Sequence, residues 1–265
     1  MRTLYLFCKI IKYRFLSLIE YPGSFIAGII TQWISYGIDM LMMLLIVWRF
    51  GTLAGWLPAE VIFLYAVWLL TYALGASFTY NLAHAFPQMG VNGTLDEALI
   101  KPVPAMAYLL AGNYNLGYIS HVTLTATAIG VSIAWLKVSW TAFEWFWLVI
   151  LLISGSIIQG CLMLICEMPA LRTRSESPTS VFFWQPRNFA QYPISIYPKS
   201  VQFIFMSVIP FSFTNFYPIQ VLLHKNDGLF ANTAKWLSPA VAVILLGLTA
   251  VCWRAVTKGY ESAGS

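Results

Sequence analysis

Residues 84–104 read HAFPQMGVNGTLDEALIKPVP, and this stretch decides how the chain is organised. It holds Asp96, Glu97 and Lys101. Residues 61–95 before these charges and 102–136 after them carry no formal charge at all. A polar segment between two apolar runs of membrane length must lie in water or against a soluble partner. Within it, the triplet Asn92-Gly93-Thr94 reads as a turn. Thr94 then becomes the N-cap of a short helix with Glu97 at its third position, a capping box.

Composition agrees with that division. Of 265 residues, 59% are apolar and 9% are charged. Soluble domains carry about 25% charged residues, so the bulk of this chain faces lipid. The net charge of +5 is read first as a topology signal and a source of lipid-headgroup contacts, not as a nucleic-acid footprint.

Working outward, hydropathy marks six membrane runs at about 24–47, 61–83, 105–135, 142–166, 201–223 and 239–253. The fold class is therefore an all-α integral membrane protein, and residues 1–265 form one transmembrane domain. The run 105–135 is longer than a crossing needs, so it is expected to be tilted or to extend past the bilayer. The run 201–223 is interrupted by Pro210 and Pro218 around Asn215. It is either a kinked helix or a shorter helix followed by a re-entrant turn on the outer side. Residues 167–200 form a proline-rich polar connection.

Before the first run, residues 1–22 read as an amphipathic helix lying in the membrane interface. Leu4, Phe7, Ile11, Phe15 and Leu18 share one face, while Lys9 and Lys12 fall on the other and Arg14 snorkels. The turn at Tyr21-Pro22-Gly23 separates this helix from the span. With the N-terminus inside, eleven lysines and arginines fall on the inner side and four on the outer. That bias places both termini and residues 84–104 in the cytoplasm. Tryptophans 33, 48, 56, 135, 140, 145, 147, 236 and 253 sit near span ends, as an aromatic belt would.

Enzyme chemistry has no foothold in the sequence. No Gly-Lys dipeptide occurs, so there is no P-loop. His84, His121 and His224 lie far apart, and Cys8, Cys161, Cys166 and Cys252 form no CxxC pair; no metal site is expected. Asp39 is the one carboxylate well inside a run. It is read either as a group on the translocation path or as a partner across a subunit interface. Asn215 is the second candidate for the path. Glu144 and Glu167, at the two ends of the fourth run, are expected to be solvated.

Two stretches resemble a known family. Residues 92–110, NGTLDEALIKPVPAMAYLL, and residues 191–219, QYPISIYPKSVQFIFMSVIPFSFTNFYPI, are similar to segments of bacterial six-span permeases of the type-2 ABC transporter class. Gln191 departs from the pattern, which more often has Arg there. The resemblance implies a connecting helix at the N-terminus and a coupling helix near 93–101, between spans 2 and 3. Asp96, Glu97 and Lys101 would then contact a separate ATPase subunit, which itself binds ATP and Mg. It also implies a second permease, identical or paralogous, a path lined by spans 1, 2 and 5, and residence in the bacterial inner membrane. A stand-alone secondary transporter would show more buried ionisable groups or an internal repeat. A non-transporting scaffold or immunity protein would need no ATPase.

Overall fold

The computed structural model describes residues 22–175 and 177–258. The expected interface helix, with Lys9, Lys12 and Arg14, lies outside the described residues. Every regular element among the described residues is helical. In order, these are α1 (Pro22–Phe50), α2 (Pro58–Asn92), α3 (Thr94–Leu99), α4 (Ala105–Gly112), α5 (Ile119–Leu136), α6 (Ala142–Glu167), α7 (Ala170–Thr173), α8 (Val181–Phe189), α9 (Lys199–Ser207), α10 (Phe216–Leu222), α11 (Ala231–Ala234) and α12 (Ser238–Lys258). Among the described residues, five helical segments are long and apolar enough to cross a membrane: Pro22–Phe50, Pro58–Asn92, Leu116–Leu136, Ala142–Thr173 and Ser238–Lys258. In an environment without water, a helix satisfies its own backbone, which is why uncharged runs of this length fold this way.

α2 is the axis of the bundle. In its most apolar window 89% of residues are buried, against 6% for α1. Both helices are apolar all round, so the difference comes from position: α2 is enclosed by α1, α5, α6 and α7, and α1 turns Ile30, Ile34, Ile38, Leu41 and Leu45 outward. Small residues let α2 and α6 approach closely. A methyl group at Gly75 would sit 2.5 Å from the Ser156 carbonyl oxygen, and one at Gly155 would sit 2.6 Å from the Thr214 carbonyl. Gln159 of α6 donates to the Thr71 hydroxyl (2.8 Å) and the Trp68 carbonyl (3.1 Å) on α2.

α2 does not stop where the apolar run ends. It continues through Pro87 to Asn92 and is closed by Gly93 at φ 68°, a left-handed conformation that glycine adopts without strain. Gly93 therefore occupies the position expected for the N-cap of α3, and Thr94 is the first helical residue, with no side-chain cap. A true capping box stands at α6: Thr141 Oγ1 accepts from the Glu144 N–H, and the Glu144 carboxylate accepts from the Thr141 N–H at 2.7 Å.

The long run 105–135 is divided. α4 ends at Gly112, a short 3-10 turn covers Leu116–Tyr118, and α5 follows. Asn115 makes the break: its side chain accepts from the Gly117 N–H (2.8 Å), and its backbone N–H donates to the Ser77 carbonyl of α2 (2.7 Å). The run 201–223 is divided as well. α9 and α10 form a hairpin whose tip is a 3-10 turn, Phe211–Phe213. The tip packs against the middle of the bundle: the Ser238 hydroxyl donates to the Phe213 carbonyl (2.8 Å) and also meets the Ser154 hydroxyl (2.7 Å). The hairpin's far end lies beside the α1–α2 loop, where Trp56 Nε1 donates to Asp227 (2.7 Å) and Lys225 pairs with Glu60 (2.6 Å). Its chain thus enters from the Trp56 end and returns to it.

Several tryptophans expected in the belt are enlisted in this hairpin instead. Trp147 donates to the Pro218 carbonyl and Trp140 to the Leu222 carbonyl, both at 3.0 Å. Trp56 and Trp147 are buried. Trp48, Trp135 and Trp145 remain exposed, as a belt requires.

Two stability predictions follow from this packing. Gly75→Ala should cost about 1–3 kcal/mol by forcing α2 and α6 apart, whereas Gly130→Ala, with open space around it, should leave stability within about 0.5 kcal/mol; thermal unfolding in detergent compares them. Lys225→Ala leaves the buried Glu60 carboxylate without its cation and should destabilise by about 2 kcal/mol or more. The double change Glu60→Gln with Lys225→Met should recover most of that loss, measured the same way.

Candidate functional site

The segment after α2 is built as an anchored projection. Leu95 and Ala98 of α3 are fully buried against the bundle. The opposite side is open: Leu99 is 44% exposed and Ile100 80%. Pro102 and Pro104 end the short helix and redirect the chain into α4. Large apolar side chains at the tip of a polar segment are what a soluble partner's cleft would cover.

The charges frame this tip. Glu97 is exposed and pairs with Lys101 at 3.1 Å, while the Tyr108 hydroxyl of α4 donates to the same carboxylate at 3.3 Å. The hydrogen bond from Lys101 to Glu97 holds the ammonium above its ordinary pKa. Lys101 also lies over the Tyr108 ring, 5.7 Å from its centre. Asp96 is half-buried, with a carboxylate oxygen beside Gly93. The structure thus brings Glu97, Lys101 and Tyr108 together, with Asp96 one residue away in α3. Sequence reasoning found the charges but not the apolar tip or Tyr108, since neither carries a charge or a motif.

The remaining predicted residues lie at mid-height of the bundle. Asp39 is exposed on the outward face of α1. Asn215 is completely buried at the hairpin tip, donating from Nδ2 to the Ala190 carbonyl (2.9 Å) and accepting from the Thr214 hydroxyl (3.2 Å). Its amide ties the tip to the end of α8. No hydrogen bond joins Asp39 to Asn215, and neither approaches α3.

Three acidic or basic groups behave differently from the sequence reading. Glu144, expected to be solvated, is buried in its capping box and pairs with His224 at 3.0 Å. Glu167 is likewise buried. Arg187, taken as a residue of a polar connection, is 5% exposed and stacks on α2. A basic residue in a proline-rich stretch gave no signal of this, because its aromatic partners lie more than a hundred positions earlier.

Among the described residues no group of His, Cys, Asp or Glu is arranged to hold a metal ion. The segment after α2 is a projection joined directly to the central helix through Gly93.

Neither the search of curated proteins nor that of solved structures gave a match. The family profile for ABC-2 family transporter proteins matches residues 33–264, almost the whole of the helical bundle together with α3 and the α9–α10 hairpin. On that match, and with five helices able to span a bilayer, the chain belongs to the ABC-2 family of transporter proteins and is a multi-pass membrane permease, the transport component of an ABC system.

Proposed function

We propose that this permease is the membrane half of an exporter driven by a separate ATPase that docks on residues 92–104. The observation that carries this reading is the anchored, apolar-tipped α3. It is joined through Gly93 to α2, the helix most deeply enclosed in the bundle. A force applied at Ile100 and Glu97 reaches α2 without a flexible linker. From there it reaches α6 through the close contacts at Gly75 and Gly155.

In this reading ATP and Mg stay on the partner, whose closure is passed through α3 into the spans. A shift between two states needs contacts that differ between them, and α3 is placed to make such contacts. Two permease copies, identical or paralogous, form the path between them, with the outward face of α1, including Asp39, turned to that path or to the partner copy. The fifth crossing is taken by α8 together with residues 190–198. It is broken at mid-height and is not one continuous helix. The α9–α10 hairpin is then re-entrant from the outer side.

The charge asymmetry supports an inner, cytoplasmic location for both termini in a bacterial inner membrane. Lys199 begins α9, and Gln202 one turn later lies beside Gly228 at the Trp56 end. Moving Lys199 outward and leaving buried Arg187 uncounted gives nine lysines and arginines inside and five outside.

The test is co-purification of a nucleotide-binding subunit from native membranes in mild detergent. Ile100→Glu alters an almost fully exposed side chain, so the permease should fold and express normally. It should nevertheless retain at least about 30-fold less ATPase, because a charge would have to enter an apolar cleft. Asp96→Lys with Glu97→Lys should act in the same direction. Undiminished ATPase with all of these changes would sink the docking assignment.

A further inference from the structure

The guanidinium of Arg187 is held in an unusual setting. It stacks on two aromatic rings of α2, with Cζ 3.6 Å from the centre of Tyr72 and 4.3 Å from that of Trp68. The Trp68 indole N–H donates to the Arg187 backbone carbonyl at 3.1 Å, fixing α8 against α2 at this point. Nη1 reaches Asn188 Oδ1 at 3.5 Å, and Nε and Nη2 have no hydrogen-bond partner among the described residues. Trp68 and Tyr72 lie about 15 and 21 Å along α2 from its first residue, which is mid-height in the bundle. The ring faces recover part of the lost hydration of the cation. They cannot accept from two in-plane N–H donors.

Beside this cation lies a cavity of about 490 Å³ between α1, α2 and α5. Gln32, Tyr36, Tyr72, Tyr80, Asn115 and His121 are among its lining residues. Tyr72 is the common wall: its ring carries the guanidinium on its face and also borders the cavity. His121, on the same wall, lies within electrostatic reach of Arg187. The cavity therefore combines aromatic surface, amide and hydroxyl groups, and a neighbouring positive charge whose donors are not used.

We propose that Arg187 and this cavity form a binding site for an anionic amphiphile, a molecule with a phosphate or carboxylate head on an apolar body. Nε and Nη2 of Arg187 lie behind the Tyr72 ring, outside the lining of the cavity, so the head reaches them by turning that ring aside, while the body lies against the other tyrosines of the cavity and the hydrocarbon outside it. A planar guanidinium presents two parallel donors to an oxyanion, a geometry that lysine cannot reproduce. A small hydrated anion would have to shed its water to reach mid-height, whereas an amphiphile carries its head there with its own apolar surface buried. The site deepens the permease reading by naming a ligand class, but binding at Arg187 does not itself depend on ATPase docking.

The experiment uses the full chain in detergent and compares wild type, Arg187→Met and Arg187→Lys by thermal unfolding. The probes are phosphatidylglycerol, oleate, phosphatidylcholine and inorganic phosphate. At saturation, phosphatidylglycerol or oleate should raise the wild-type Tm by about 5 °C, while phosphatidylcholine and inorganic phosphate should not. Comparing phosphatidylglycerol with oleate tells a phosphate head from a carboxylate head. Arg187→Met should fold, since it keeps the apolar stem against Trp68 and Tyr72, and should lose the response. Arg187→Lys should keep only a fraction of it. An undiminished response of Arg187→Met, an equal response to phosphatidylcholine, or full response to inorganic phosphate alone would overturn the proposal. Arg187→Met should still co-purify with the ATPase, so failure here and failure of the docking reading are separately visible.

Discussion

The close approach of α2 to α6 is the constraint on which the rest of the structure depends. Gly75 brings the two backbones to a distance that a single methyl group would not tolerate, and Gly155 leaves room for the Thr71 side chain of α2 and the Thr214 carbonyl of the hairpin. In lipid there is no hydrophobic gain from pressing one apolar helix against another, so contact area and hydrogen bonds between helices must hold the pair. Gln159 supplies those hydrogen bonds at the same level, to Trp68 and Thr71. Because α2 is fixed there, it can be enclosed by its neighbours over most of its length. It can also extend rigidly past the apolar zone to carry α3.

The same level of the bundle gathers the breaks in the other elements. The hairpin tip at Phe211–Phe213, the first turn of α12 and the end of α8 all converge on the middle of α6 and α2. Irregular backbone at this height survives only where its polar groups are satisfied by protein. Asn215, Ser212, Ser238 and Thr214 do this, each bonding a main-chain carbonyl exposed by a break. Arg187 differs from these in the same layer: its charge is enclosed, yet two of its donors have no hydrogen-bond partner among the described residues. Permeases move their cargo through such layers, where helices are interrupted and packing can change between two discrete arrangements.

At the Trp56 end a different logic applies. The Glu60–Lys225 ion pair and the contact of His224 with Glu144, with three indole donors, fasten the hairpin to the starts of α2 and α6. Glu60 and Lys225 are partly dehydrated charges that are paired, so removing one of them costs more than the pair contributes. At the opposite end Glu97 is exposed and meets Lys101, just after α3, and Tyr108 of α4. One end of the molecule is closed on itself, and the other leaves Leu99 and Ile100 exposed.

By itself, the sequence determined the helical membrane class, the polar segment at 84–104 and the absence of hydrolytic motifs. Hydropathy is a sum over neighbouring residues, and a long uncharged run can satisfy its backbone in lipid only as a helix, so those features need no knowledge of distant parts. Only the tertiary structure decided that 105–136 is two helices, that 199–222 is a hairpin, that Glu144 is buried and that Arg187 lies against Trp68. Each of these rests on a bond between positions far apart in the chain, such as Asn115 with Ser77 or the Ser238 hydroxyl with the Phe213 carbonyl. Where a proline or asparagine interrupts a run, local propensity marks a break; which way the chain turns is set by the partner that accepts the freed hydrogen bonds.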